Sequence, residues 1–140
     1  MPNHYDNFQV GGDHYANKLD CARFAMKLSL VAPQAGLEST MWNVTKYVTR
    51  TKEGVDYKED CEKAISCLRM WDEFLRSDRP YACQATDGAY VPFNLITEFT
   101  KQFPSINMLL TQVIICTITR DIQGAINAVR AVCDIKKLGV

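Results

Sequence analysis

Apolar side chains recur every three or four residues in the first half of the chain, as they do in amphipathic helices. This spacing predicts helices over residues 18–31, 37–51 and 57–76. Pro33 and Gly36 separate the first two helices and predict a turn between them. The first half of the chain should therefore contribute three amphipathic helices to a hydrophobic core.

The second half has a less regular pattern. Residues 77–92 contain two prolines and an Asp-Gly pair and predict a long connection. Ser105 follows Pro104 and is a candidate N-cap for a further helix. From Ile122 onwards, apolar residues keep helical spacing as far as Gly139, a residue suited to a helix end.

Residues 112–119 are mostly β-branched, and such residues suit a strand as well as a helix. We predict a helix here and keep a short strand as the alternative. A chain of 140 residues is long enough for one ordinary domain and too short for two. The expected fold is all-α, a compact helical bundle of about five helices that forms a single domain over residues 1–140.

Composition and charge exclude several classes of partner. Sixteen basic residues balance sixteen acidic ones, so no overall field attracts nucleic acid or an anionic membrane. The longest apolar stretch, residues 108–118, is interrupted by polar residues and falls short of the roughly 20 apolar residues of a membrane span. Six cysteines without a Cys-x-x-Cys pair, and the absence of a signal peptide, indicate reduced thiols in a cytoplasmic protein.

A polar stripe runs along the second predicted helix, away from its apolar face. At about 100° per residue, Asn43, Lys46 and Arg50 line up on this stripe. Two like charges four residues apart cost roughly 0.2–0.5 kcal/mol unless an anion relieves them. Trp42 and Tyr47 flank the stripe and offer ring faces on which a nucleobase could stack. The stripe is a candidate phosphate site, with solvated cations and buried rings as the ordinary alternatives.

Two further side chains could serve this stripe. Asp60 could pair with Lys46 or Arg50 across two helices and hold the cation in place for a phosphate. Asp60 also lies in the first turn of the third predicted helix, where the helix dipole favours negative charge, and both roles are compatible. His14 follows Gly11-Gly12, and this flexible segment could place the imidazole over a site as a proton donor or phosphate ligand. Otherwise His14 is an ordinary polar surface residue.

The common nucleotide and metal motifs are missing. The chain has no Gly-x-x-x-x-Gly-Lys-Ser/Thr phosphate loop, so a standard P-loop kinase is excluded. Helical pyrophosphohydrolases bind magnesium through Glu-x-x-Glu followed by Glu-x-x-Asp. Glu59 and Glu62 form the first pair, but no Glu-x-x-Asp follows them. Half of that ligand set is absent, and no metal site is predicted. With only two histidines and no paired cysteines, a zinc site is not expected either.

Three segments follow one another in a distinctive order. They are Gly12-Asp13-His14-Tyr15, the stretch from Trp42 to Lys52 (Trp-Asn-Val-Thr-Lys-Tyr-Val-Thr-Arg-Thr-Lys), and Glu59-Asp60-Cys61-Glu62-Lys63-Ala64. They resemble the phage nucleotide kinase family, whose pattern is roughly His-Tyr, Gly-Asn-Val-Ile-Lys-Tyr-Val-x-Arg-x-x-Lys and Glu-Asp-Leu-x-Lys-Ala. The resemblance covers about residues 11–76, the half expected to handle the nucleotide.

The resemblance implies a nucleoside monophosphate kinase without a P-loop, which would phosphorylate dGMP and dTMP from a nucleoside triphosphate and form a homo-oligomer. Magnesium would be compatible with this reaction, but no visible motif requires it. Trp42 stands where the family has glycine and Cys61 where it has leucine, and the tryptophan adds a large side chain beside the predicted site. The matching positions are His14, Lys46, Arg50 and Asp60 as catalytic candidates, and Tyr15, Asn43, Tyr47, Lys52 and Lys63 as substrate-binding candidates.

Three functional hypotheses follow. In the leading one, Lys46 and Arg50 clamp phosphates, Asp60 orients them and His14 approaches the transferring group. In the second, a non-catalytic protein uses the same cations to sequester a nucleotide or nucleotide-derived signal and so acts against host defence. In the third, a helical protein acts on the host only through protein contacts. Each places the chain in the cytoplasm of an infected cell.

The apolar residues of the second half predict an assembly. Three amphipathic helices from the first half already supply one core, so the apolar residues between Ile106 and Val132 would be surplus. An exposed patch of that size is uncommon in a soluble monomer. We therefore expect a homo-oligomer, with residues 93–139 as its oligomerisation half and the nucleotide site near a subunit boundary.

Overall fold

The computed structural model describes residues 18–51, 54–77 and 90–139, and these residues form six α-helices and no strand. In chain order the helices are α1 (Cys21–Val31), α2 (Leu37–Thr49), α3 (Tyr57–Ser77), α4 (Phe93–Thr100), α5 (Asn107–Ile118) and α6 (Ile122–Lys137). The prediction of an all-α fold is confirmed, with six helices rather than about five. Residues 112–118 belong to α5, so the alternative of a strand there is wrong.

Side-chain capping explains where α1 begins. One carboxylate oxygen of Asp20 accepts a hydrogen bond from the backbone N–H of Arg23 at 2.8 Å, and the other accepts from the Arg23 guanidinium at 2.8 Å. The first contact satisfies one of the N–H groups that a helix leaves without an internal partner. The helix then ends at Val31, two residues before Pro33, as its sequence predicts.

Gly36 joins α1 to α2 in a conformation that favours glycine. Its φ is +77°, in the left-handed region that other residues rarely adopt. The indole N–H of Trp71 in α3 donates to the carbonyl of Ala35 at 2.8 Å. A Cβ atom on Gly36 would lie only 2.9 Å from Cδ1 of Trp71. The turn predicted at Gly36 is confirmed, and the buried Trp71 ties it to α3.

The second half of the chain departs from prediction at two points. α4 is a helix of eight residues that directly follows Pro92, and the sequence pattern does not single it out. The N-cap predicted at Ser105 is also wrong, because Ile106 occupies the N-cap of α5 and no side chain caps this end. Ile106 is buried, so apolar packing rather than a hydroxyl group fixes the start of α5.

Buried side chains from all six helices form one hydrophobic cluster. α2 packs against α1 and α3, while α6 packs against α3 and α5. Ile106, Leu110, Ile126 and Val129, which the sequence assigns to a subunit contact, lie inside this cluster. The premise that they are surplus is wrong, because α5 and α6 help to complete the core that the first three helices begin. The homo-oligomer itself stays a prediction.

The longest helix of the described ranges, α3, has 21 residues and carries charged side chains along its length. Among the helices of the described ranges, none has both the length and the apolar character needed to cross a membrane.

Candidate functional site

The polar face of α2 is turned away from the core, as predicted. Leu37, Met41, Val44 and Val48 are buried on one side of the helix, whereas Lys46 is exposed on the other. Because the apolar residues fix the rotation of α2 about its axis, they also fix the direction in which the polar stripe points. The cationic side chains of the stripe therefore meet solvent beside the neighbouring helix α3.

Three cationic side chains surround the ring of Tyr47. Lys46 Nζ lies 5.0 Å from the ring centroid, Lys63 Nζ 5.6 Å and Arg50 Cζ 6.0 Å. Lys46 and Arg50 belong to the C-terminal end of α2, and Lys63 belongs to α3. An exposed ring attracts a nearby cation by about 0.5–1 kcal/mol, and the negative end of the α2 dipole attracts cations as well. We call these four residues the Tyr47 cluster.

A buried carboxylate holds one member of the Tyr47 cluster. Arg50 Nη1 lies 3.4 Å from Asp60 Oδ1, which is the pairing between the second and third helices considered from sequence. The Asp60 side chain is only 6% exposed, whereas that of Arg50 is 43% exposed. The second oxygen, Asp60 Oδ2, is buried without a hydrogen-bond partner among the described residues. Asp60 can therefore hold the Arg50 guanidinium from its buried side. The N–H groups on the outer side of the guanidinium stay open to solvent.

A buried lysine that was not predicted from the sequence lies at the end of α2. Lys136 in α6 is 9% exposed, and its ammonium donates to the backbone carbonyls of Val48 and Arg50, the second at 2.9 Å. These contacts satisfy carbonyl groups that the last turn of a helix leaves without an internal partner. Lys136 Nζ also lies 5.2 Å from the centroid of the Tyr57 ring. Lys136 thus caps α2 from the opposite end of the chain.

Two opposing effects act on the pKa of Lys136. Burial lowers it, because removing an ammonium from water disfavours its charged form, and the nearby Asp60 carboxylate raises it in part. The sequence could have indicated that Lys136 is buried. Lys136 lies seven residues after Val129 and four residues after Val132, on the buried face of α6. A lysine on an apolar stripe is the pattern that could have identified it.

Asn43 and Lys63 each contact a partner on their own helix. Asn43 Nδ2 donates to the carbonyl of Ser39 at 2.9 Å, which leaves the amide oxygen of Asn43 for other contacts. Lys63 Nζ pairs with Glu59 Oε1 at 3.1 Å, and this hydrogen bond and charge raise the pKa of Lys63. Trp42 is 45% exposed, so its ring lies at the surface and does not fill the core.

Three of the nine predicted site residues, His14, Tyr15 and Lys52, lie outside the described residues. Five of the other six come together around the end of α2 and the start of α3, namely Lys46, Tyr47, Arg50, Asp60 and Lys63. Asn43 lies in the middle of α2 and contacts Ser39 instead. Within the described ranges, no group of three or more histidine, cysteine, aspartate or glutamate side chains could hold a metal ion. The chemistry that the described residues offer is that of cations and hydrogen-bond donors.

A cavity of about 540 Å³ adjoins the same end of α2. Thr49, Thr51, Tyr57 and Lys136 are among the residues that line it, whereas Lys46 is not. The cavity and the Tyr47 cluster are therefore neighbours. Lys136 lines the cavity, and its ammonium also donates to the backbone of Arg50, a member of the cluster. Hydroxyl groups and an ammonium give this cavity donors for a polar group.

The Tyr47 cluster can bind an anion. Its three cations face two acidic partners, Asp60 and Glu59, which leaves an excess of one positive charge. Lys46 forms no ion pair with any residue in the described ranges. Ammonium and guanidinium groups together supply the point charge and the planar pair of donors that proteins use for phosphate.

No protein-family model, curated protein or solved structure matches this chain. The features that bear on function are the geometry of the Tyr47 cluster and the three segments that resemble the phage nucleotide kinase family.

Proposed function

We propose that the protein binds a nucleotide through its phosphates at the Tyr47 cluster and transfers a phosphoryl group from a nucleoside triphosphate to dGMP or dTMP. The observation that carries the proposal is the convergence of Lys46, Arg50 and Lys63 from two helices on one ring. Asp60 and Glu59 compensate two of these cations, so the cluster keeps an excess of one positive charge. A phosphate that binds among the three cations would neutralise this excess.

Each cation has a distinct part in the proposed transfer. Lys46, which has no ion pair in the described ranges, offers all its donors to phosphate oxygens. Arg50 is held on one side by Asp60, so its guanidinium reaches the ligand already oriented. Such preorganised charge stabilises the negative charge that spreads over the oxygens of a transferring phosphoryl group.

Trp42 supplies a surface for the base. It lies one helical turn before Lys46, so the two side chains share a face of α2 about 6 Å apart along the axis. A base stacked on Trp42 would direct its phosphates along α2 towards Lys46 and Arg50. Stacking on an aromatic ring is worth about 1–3 kcal/mol per base and tolerates different bases.

The resemblance adds residues beyond the described ranges. By that resemblance, His14 is a further catalytic candidate, and Tyr15 and Lys52 are further candidates for binding the substrate. The donor triphosphate brings the leaving group, so the chain needs to supply only positioning and charge.

A second candidate function is binding without turnover. The observation that favours it is the exposure of Lys46, Arg50 and Lys63, because efficient transfer to an acceptor nucleotide requires a site that excludes water. An open cationic surface is sufficient for a protein that sequesters a nucleotide or a nucleotide-derived signal. The two candidates share one site and differ in whether product forms.

The deciding experiment incubates the pure protein with ATP and either dTMP or dGMP, with magnesium or with a chelator, and follows dTDP or dGDP by chromatography. Product formation supports the kinase, whereas nucleotide binding without product supports the sequestering protein. The Lys46→Gln variant, purified in the same way, is the matched control, since a contaminating host kinase would be present in both preparations. Absence of both turnover and binding would remove the proposal.

A further inference from the structure

A second concentration of charge lies between α3 and α6. These helices form a groove of about 620 Å³, which we call the α3–α6 groove. Its volume falls in the range of about 300–1,000 Å³ usual for small-molecule sites. Its lining includes four basic side chains, Lys58, Arg69, Arg130 and Lys137, and two acidic ones, Glu62 and Asp134.

The positive charges in the groove exceed what its own acids can pair. Asp134 lies 3.9 Å from Lys137, the only salt bridge among the lining residues in the described ranges. Lys58, Arg69 and Arg130 then face Glu62 alone, which leaves an excess of two positive charges. The whole chain has a net charge of zero, so this excess is a local feature. A concave surface with an excess of one sign of charge attracts a ligand of the opposite sign.

The helices run antiparallel along the groove. Tyr57 meets Lys136 near one end, and Cys61 meets Cys133 further along. This register places Lys58 and Lys137 together at one end of the groove. Arg69 lies 11 residues after Lys58, about 16 Å along α3, and Arg130 lies seven residues before Lys137, about 10 Å along α6. Both arginines therefore lie away from the end that holds the two lysines.

The Cys61 thiol, which lines the groove, stays uncharged. Its pKa is raised to about 11, mainly by burial and then by the neighbouring Cys133, while Arg130 lowers it in part. This thiol is therefore neutral near pH 7 and does not cancel the charge of the guanidinium groups. Arg130 and Cys61 both line the groove.

We propose that the α3–α6 groove is a second binding site, which takes a small molecule through a phosphate group held by Arg69 and Arg130. Guanidinium groups from two helices present planar pairs of donors that match phosphate oxygens. None of the residues of the Tyr47 cluster lines this groove. The α3–α6 groove is therefore separate from the nucleotide site, and ligand binding in it does not depend on whether the protein is a kinase.

The test follows alkylation of Cys61 by neutral iodoacetamide, with peptide mass spectrometry to separate it from the other cysteines. The probes are inorganic phosphate, pyrophosphate and ADP. An occupant of the groove covers Cys61 and adds negative charge beside it, and both effects slow alkylation. Cys116 in α5, which does not line the groove, is the internal reference.

Four variants make the test specific. Arg69→Gln and Arg130→Gln should each weaken protection of Cys61 roughly tenfold or more in probe concentration. Lys101→Gln removes one exposed positive charge outside the groove and should leave protection unchanged, as should Lys46→Gln in the Tyr47 cluster. The comparison is made with and without probe in each variant, since loss of Arg130 by itself changes the reactivity of Cys61.

The probes also separate the sources of the phosphate. Protection by all three supports a site for phosphate itself, and protection by ADP alone supports one for a nucleotide. Protection that persists in both arginine variants, or that is lost only in Lys46→Gln, would overturn the proposal. So would a lack of protection by every probe. Failure of the kinase assay would leave each of these outcomes unaffected.

Discussion

The ammonium of Lys136 donates to the carbonyl oxygen of Arg50 at 2.9 Å, across 86 residues of sequence. This contact joins the last helix to the residue that ends α2, which is the same residue whose guanidinium pairs with Asp60. The backbone of Arg50 is thus held from α6 and its side chain from α3. The position of this guanidinium depends on three separate helices.

Replacement of Lys136 by methionine should destabilise the protein. The change keeps most of the buried stem but leaves the carbonyls of Val48 and Arg50 without their charged donor, at a cost of about 2–3 kcal/mol. Urea unfolding measures this loss. Lys137→Met, at the neighbouring exposed position, should change stability by less than about 0.5 kcal/mol. Equal stability of the two variants would contradict the capping role of Lys136.

Lys46→Ala and Arg50→Ala should each weaken nucleotide binding about tenfold or more, because each removes a charged donor to phosphate. Lys46 lies off the core without an ion pair, so Lys46→Ala should change the melting temperature little. Arg50→Ala also removes the partner of the buried Asp60 carboxylate and should lower the melting temperature, but the protein should stay folded at the temperature of the binding measurement. Calorimetric titration with nucleotide measures the affinity, and a thermal melt excludes unfolding. A variant that keeps full affinity and turnover would show that the Tyr47 cluster is not the phosphate site.

Asp60→Asn tests the anchoring of Arg50. The amide keeps the shape of the side chain but removes the charge that orients the guanidinium, so nucleotide affinity should fall about fivefold, which corresponds to roughly 1 kcal/mol. Glu73→Gln removes an exposed acid from the same helix and should leave the affinity unchanged. If both variants bind as the original chain does, Arg50 does not depend on Asp60 for its position.

Ile126→Glu should unfold the protein rather than dissociate an oligomer. Ile126 is 3% exposed, and an unpaired carboxylate in the core costs about 4 kcal/mol or more. Asn127→Glu, at the next position and exposed, should remain folded. Circular dichroism shows whether each variant is folded, and light scattering gives its mass in solution. An Ile126→Glu variant that is folded but has a smaller mass than the original protein would support the subunit contact predicted from the sequence.

The stability of the protein should fall as the pH rises from 9.0 to about 11, in part because of Cys61. The pKa of this thiol is about 11 in the folded chain, against 9.0 for an ordinary cysteine, so over this interval the unfolded chain releases a proton that the folded chain retains. Unfolding is then favoured increasingly with pH. In reduced samples, Cys61→Ser should flatten the pH dependence of urea unfolding. An unchanged slope would contradict the raised pKa.

The sequence predicts individual helices better than it predicts what they pack against. Periodicity places α2 and α3 within a few residues, because each has one apolar face. The same periodicity shows that Ile126 and Val129 share a face, but it does not say whether that face meets its own chain or another. Only the packing of α6 against α3 and α5 answers that question.

The candidate site was predictable where it depends on one helix or on adjacent ones. Lys46 and Arg50 follow from the spacing along α2, and Asp60 is only ten residues further on. Lys136 comes from the far end of the chain, and the sequence distance between it and Arg50 conceals the contact. The approach of Arg69 and Arg130 to the same α3–α6 groove is hidden for the same reason.

The two tryptophans differ in exposure to solvent, so the fluorescence of one of them can report on ligand binding. Trp71 is 3% exposed and seals the turn at Gly36, whereas Trp42 is 45% exposed beside Lys46. Iodide in solution can collide with the second indole and hardly with the first, and the nearby cations draw this anion closer. The emission that iodide quenches therefore comes mainly from Trp42. A nucleotide that occupies the Tyr47 cluster would shield this fluorescence, so ligand binding can be followed in the unlabelled chain.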